Sequence, residues 1–221
     1  MVGMIIFKPV RWKTFLPDLA RIQIGFLLYG AAIALLIRAN LGTNSWAVLD
    51  VALSGIFTLT PGTVTVGMGF VVLAIALAMR EQVGWGTLAN ILSIGPFEDL
   101  VLGVVPSVQG NLALQAVMFL AAIGLMGLAS AVYIGVDAGA GPRDTLMLAV
   151  NRRFGVSIRV ARTAIEVIVV AIGWYLGGPA GLGTVAFALL IGPSVQAAFK
   201  LLRVEPHGHE PAPAAALPEE A

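Results

Sequence analysis

The sequence predicts an all-α polytopic membrane protein made of two tandem copies of one unit, set in opposite directions across the bilayer. Three observations carry this: the composition, an internal repeat and the placing of the basic residues. Of the 221 residues 58% are hydrophobic and 11% charged, where a soluble domain has roughly a quarter charged; mean hydropathy is +0.93. Several apolar runs approach the ~20 residues that cross a hydrocarbon core of ~30 Å. The stretch from Gly84 to Pro96 returns as Gly181 to Pro193, a spacing of 97 residues, with Gly-x-Gly-Thr opening and Ile-Gly-Pro closing both. The same spacing pairs Gly30 with Gly127, Gly42 with Gly139 and Phe57 with Phe154. A membrane unit written twice is the architecture expected of a small transporter.

Taken in order, residues 1–21 form a basic leader with Lys8, Arg11, Lys13 and Arg21. No small-residue cleavage site precedes the first span, so the leader reads as retained and cytoplasmic, with Trp12, Phe15 and Leu16 suited to the headgroup layer. The first copy, 22–105, holds a span at 22–39, a short element at 45–57, and spans at 63–80 and 86–105. The second, 114–203, repeats them at 114–136, 142–151, 158–176 and 183–201. Residues 204–221, rich in Pro, Ala and Glu, read as a disordered tail.

Each element has its own warrant. Before 45–57, Thr43, Asn44 or Ser45 offers a helix cap. From Pro142 to Asn151 there are ten residues, a helix of ~15 Å or half a bilayer, with Pro in its first turn and Asp144 just inside. Gly84, Gly86 and Thr87, like Gly181, Gly183 and Thr184, make tight helix starts with Thr as cap; without a following Lys-Ser/Thr they are not a phosphate loop. Gly95-Pro96 and Gly192-Pro193 fall mid-span, where proline removes a donor and kinks or hinges the helix. Glu98 and Asp99 read as a solvated rim near the end of the same span.

The basic residues choose between topologies. If all eight elements cross, Arg38, Arg80 and Arg143 lie outside. If each short element dips in and returns, three full spans and one re-entrant half-helix remain per copy and the copies are inverted. Of the 13 Lys and Arg residues, Arg38 alone is then external, which the positive-inside rule favours. The loop from Asn151 to Arg159 is basic whereas its counterpart from Ser54 to Gly62 has no charge, a contrast that inverted copies explain by compartment.

These residues resemble the YczE/YyaS/YitT-type bacterial integral membrane proteins over about residues 20–203. The likeness rests on the Leu41 to Trp46 turn, on Gly141-Pro-Arg-Asp144 followed by Asn151, Arg152 and Arg153, and on the paired Gly-x-Gly-Thr…Ile-Gly-Pro helices. Ser45 and Ala47 depart from the Pro and Asp associated with that family around Trp46. The resemblance implies an inner-membrane protein of unassigned biochemistry, of a kind often described as transporters, and brings no substrate.

Ionisable groups inside a bilayer are costly unless paired or wet, so each is a functional candidate. Arg162 and Glu166 share one face of the third span of copy two, with Glu166 ~12 Å along it; a self-satisfying salt bridge is the plainer reading. The half-helix starts, with Thr43, Asn44, Gly141, Arg143 and Asp144, converge mid-membrane in the inverted arrangement, and helix N-termini suit an anionic group. An ordinary capped surface turn is the alternative for the second of them. Asp50, inside the short element of copy one, is a candidate proton-coupling carboxylate. Gly95, Pro96, Gly192 and Pro193 are hinge candidates. Cysteine is absent, His207 and His209 lie in the tail, and no catalytic or metal-ligating motif is found. The expectation is therefore a non-enzymatic, multi-pass inner-membrane protein with both termini cytoplasmic and with no cofactor, metal or nucleic-acid partner. It is a secondary transporter or permease for a small anionic or zwitterionic solute, embedded in lipid, with a homo-oligomer or another membrane protein as its other partners. The alternative is a non-transporting accessory or scaffold for another complex.

Overall fold

The computed structural model of the protein describes residues 12–136, 138–139 and 141–204. Lys8 and Arg11 of the leader, and all of the tail beyond Val204 with His207 and His209, lie outside the described residues. Among those described the chain forms eight helices: α1 (Phe15–Ala39), α2 (Ser45–Phe57), α3 (Pro61–Ala78), α4 (Trp85–Val104), α5 (Leu112–Ile134), α6 (Pro142–Phe154), α7 (Ile158–Tyr175) and α8 (Leu182–Leu202). Five of them, α1, α3, α4, α5 and α8, are long and apolar enough to cross a membrane. α7 has 18 residues but carries Arg159, Arg162 and Glu166.

The boundaries follow local chemistry. Asn44 accepts from the Ala47 N–H, Thr60 from Thr63, Asn111 from Leu114 and Ser157 from Val160, each satisfying an amide that the first helical turn leaves unpaired. α2 and α6 begin and end 97 residues apart, as do α3 and α7. α1 starts seven residues earlier than the apolar run suggests, so 15–21 belong to a helix and not to a separate leader. α6 continues one turn past Asn151 and stops at Gly155, whose φ of 67° ends the helix. Its 13 residues give a length of ~20 Å, still short of a hydrocarbon core.

α1 and α5 form the central pair and run antiparallel. Gln115 near the start of α5 donates to the Ala39 carbonyl at 2.8 Å, while Phe26 and Tyr133 bring the opposite ends together at a ring separation of 5.6 Å. Ile22, Phe26, Ile33, Leu36, Phe119, Ile123 and Met126 fill the core between them. α4 lies along α1 and α8 along α5, each in the same direction as its neighbour. The short helices are exchanged, α2 packing on α7 and α6 on α3. The connecting loops are exchanged as well. Gly86 N–H donates to the Ala138 carbonyl at 3.0 Å, and Gly183 N–H to the Leu41 carbonyl at 2.8 Å, a pair of bonds again 97 residues apart.

Three further contacts fix which segments share an end of the molecule. Arg38 donates to the Leu102 carbonyl and Val108 N–H to the Arg38 carbonyl, so the ends of α1 and α4 lie together. At the other end Arg152 pairs with the buried Glu81 at 3.2 Å, joining the α3–α4 connection to the end of α6. The outer surface carries Leu92, Leu100, Val117, Leu120, Val167 and Leu189, an apolar exterior that suits contact with lipid chains.

The halves differ at one seam. A Cβ on Gly62 would strike the Gly95 carbonyl, Gly62 N–H donates to Asp99 at 2.8 Å, and α3 packs along α4. α7 makes no comparable contact with α8, and a Cβ on Gly192, the counterpart of Gly95, would meet nothing within 4 Å.

Candidate functional site

The first turns of α2 and α6 face each other in the interior. Arg143, the second residue of α6, places its guanidinium 4.9 Å from the centre of the Trp46 ring, a cation–π contact, and donates to Asp50 Oδ2 at 3.0 Å. Asp50 lies one turn into α2 with its side chain 2% exposed, whereas that of Arg143 is 26% exposed. The acid is thus sealed behind the base. Pro142 in the first turn fixes the helical start of α6, and Thr145 bonds back to the Gly141 carbonyl at 2.8 Å.

Beside these turns is a cavity of about 200 Å³ to which all eight helices contribute. Its walls use positions 97 residues apart: Asn44 and Gly141, Ser45 and Pro142, Trp46 and Arg143, Thr65 and Arg162, Gly69 and Glu166, Ile94 and Ile191. Apart from Ile94 and Ile191 the positions match while the chemistry does not, and the copy-two side carries the charged groups of the lining. Arg162 and Glu166 are joined at 2.9 Å on the cavity wall, with side chains 57% and 34% exposed.

Most of the residues singled out from sequence meet here. Asn44, Gly141, Arg143, Asp144, Arg162 and Glu166 line the cavity. Thr43 is buried beside it with its hydroxyl unpaired, and Asn44 keeps its amide nitrogen unpaired. The hinge candidates separate by copy. α4 runs unbroken through Pro96, with Gly95 pressed on Gly62, while α8 runs unbroken through Pro193, with space beside Gly192.

Glu98 is the correction. It is fully buried, not a rim residue, and the Thr65 hydroxyl lies 3.0 Å from its Oε2 and 3.1 Å from Asp50 Oδ2. Asp99 takes the outer role, accepting from Gly62 N–H and from Thr60. Helical spacing held the signal. Glu98 falls four and seven residues after Ile94 and Ile91, both buried, while Asp99 falls seven after the exposed Leu92. Trp46, Tyr29, Tyr133 and Asn90, apolar or neutral in sequence, also line the cavity and carried no such signal.

A family of unknown function (DUF6198) matches over residues 18–200. An uncharacterized protein of Haemophilus influenzae is 31% identical over 199 residues, covering 89% of each chain. The uncharacterized membrane protein YczE of Bacillus subtilis is 28% identical over 170 residues, 76% of this chain and 79% of that one. No solved structure matches. The matched region takes in every helix from α2 to α7 and nearly all of α1 and α8, the cavity walls included. The resemblance to YczE-type membrane proteins is upheld, and the chain belongs to the family of unknown function DUF6198.

Proposed function

We propose that this protein is a secondary transporter of the bacterial inner membrane, built as an inverted repeat and moving a small anionic or zwitterionic solute by alternating access. The observation that carries the reading is the meeting of two half-helix N-termini and Arg143 at one cavity. Helix N-termini present unpaired N–H groups and partial positive charge, and discontinuous helices at a repeat interface commonly build solute sites in this way.

Inversion is supported by the antiparallel run of α1 and α5, which occupy equivalent places in the two copies. If all eight helices crossed, α1 and α5 would be parallel, and Glu81 would be separated from Arg152 by the thickness of the bilayer instead of by 3.2 Å. Six crossings with two re-entrant helices, both termini cytoplasmic, are consistent with that ion pair. In this orientation the packed α3–α4 seam lies toward the outside and the open α7–α8 side toward the cytoplasm.

Size narrows the solute. A cavity of about 200 Å³ is at the small end for a ligand site, which favours a small solute. No nucleotide-binding motif is present in the sequence, so an ion gradient supplies the energy in this reading, and the protein is not an enzyme.

The test is a thermal-shift screen of the protein in detergent against small carboxylates, phosphates and amino acids, since a ligand of the folded state raises apparent stability by ~2.7 kcal/mol at a hundredfold excess over Kd. A stabilising anion whose effect is lost in Arg143→Met is expected, with flux into liposomes that collapses in Glu166→Gln. Stabilisation that persists without Arg143 would remove that residue from the site, and no flux of any stabilising solute would remove transport.

A further inference from the structure

We propose that Asp50, Thr65 and Glu98 form a proton-binding site that holds one proton in the resting protein, on Glu98, and takes up a second, on Asp50, when an anion binds at Arg143. The three residues come from α2, α3 and α4. Their counterparts in the second copy, Met147, Arg162 and Val195, cannot reproduce the site. It is therefore a single site in a duplicated molecule.

Counting hydrogens supports the first proton. Thr65 Oγ1 lies 3.1 Å from Asp50 Oδ2 and 3.0 Å from Glu98 Oε2, both hydrogen-bond distances. A hydroxyl has one hydrogen and can donate to only one of two carboxylates. Both contacts are hydrogen bonds when the other acid is protonated and donates to the hydroxyl oxygen. Arg143 donates to Asp50 Oδ2 at 3.0 Å and holds that group as the carboxylate, which leaves the proton on Glu98. The order is then Glu98 O–H to Thr65, Thr65 O–H to Asp50, and Arg143 to the same Asp50 oxygen.

Charge balance agrees. The charged groups facing Glu98 are Asp50 from α2, Arg143 from α6 and, on its own helix, Asp99, which is engaged with Gly62 and Thr60. α1 packs against it with the uncharged Gly30, and Arg38 is committed to Leu102 farther along. With both acids ionised, Arg143 would face two buried carboxylates and one negative charge would remain uncompensated; with Glu98 protonated the group is neutral. Asp50 Oδ1 and Glu98 Oε1 are sealed from solvent without partners, so the Asp50 carboxylate retains a free oxygen that can take a proton, while Glu98 Oε1 is the carbonyl oxygen of the acid.

The coupling follows from the sharing of Arg143, and this part rests on the transport reading. Arg143 faces the cavity on one side and Asp50 on the other. An anion that draws the guanidinium toward the cavity leaves the Asp50 carboxylate without a counter-charge. Asp50 then takes one proton from solvent hydronium reaching it through the cavity, releasing water, and becomes a neutral acid, so one anion charge enters with one proton.

The test is infrared spectroscopy of the full-length protein in detergent, reading the C=O stretch of a protonated carboxyl group, which shifts on exchange into deuterated buffer. At neutral pH the parent and Glu166→Gln are expected to show the band, and Glu98→Gln to lose it. An equal spectrum in parent and Glu98→Gln overturns the site, as does saturable removal of the band by sodium at fixed pH, which would make the pair a cation site. Glu98→Gln is also expected to melt with the parent, because the amide donates the same bond to Thr65; a variant that fails to fold counts against a protonated Glu98. None of these readouts needs a transported solute, so absence of flux would end the transport reading while leaving the proton site standing.

Discussion

Arg143 ties α6 to α2 in the interior. It stacks on Trp46, pairs with Asp50 and faces the cavity. Breaking a buried ion pair from one side leaves the other charge uncompensated, typically at a cost of 3–5 kcal/mol. Arg143→Met is therefore expected to lose about 3 kcal/mol of stability by thermal or denaturant unfolding in detergent, and the double substitution with Asp50→Asn to recover much of it. If the double variant is no more stable than the single one, the pair is not what matters at this position. Asp50 was legible as an intramembrane acid, while its partner was not, because the two residues are 93 apart in sequence and only the exchange of α6 into the other copy brings them together. Glu98 was misread for a related reason. Two adjacent acids look alike in a string, yet on a helix they point about 100° apart, and one meets the core while the other meets the rim.

At the scale of elements, α2 and α6, like α3 and α7, have equal lengths and unequal surroundings. Asn44 caps α2 with a 3.0 Å bond to Ala47 N–H, and Asn44→Ala is expected to cost about 1 kcal/mol with a lower melting temperature. Gly95 and Gly192 separate more sharply. A side chain at Gly95 would run into the backbone of α3 at Gly62, whereas one at Gly192 has open space. Overpacking costs typically 1–3 kcal/mol, so Gly95→Val should fall in that range and Gly192→Val should be close to neutral. Equal effects in the two variants would mean that the seams are equally packed in solution. The N-caps of α4 and α8 are Gly84 and Gly181, with Thr87 and Thr184 inside the first turn and not at the cap position. Helix positions, the Asn44 cap and both short elements were readable from apolar runs and cap residues, because these depend on neighbours in sequence. The unequal seams were not, since the glycine–proline pairs are identical in the string and differ only in what packs beside them.

For the molecule as a whole, the proposed inversion and the asymmetry between the α3–α4 and α7–α8 seams make one prediction together. Phe57 and Phe154 end the two short helices 97 residues apart and are exposed. Single cysteines at these positions, in a chain with none of its own, should react with a membrane-impermeant reagent from opposite faces of the membrane. Reaction from the same face would discard the inversion and with it the rocking of one copy against the other. The sequence by itself determined the membrane class and the approximate place of the eight described helices, because hydropathy and capping are written in residues close together along the chain. Tertiary structure decided that the short helices cross over to the opposite copy, that Arg143 reaches Asp50, and that Glu98 is buried against Thr65. Those outcomes depend on packing between segments far apart in the chain, where direction and distance are set by the whole bundle and no local pattern records them.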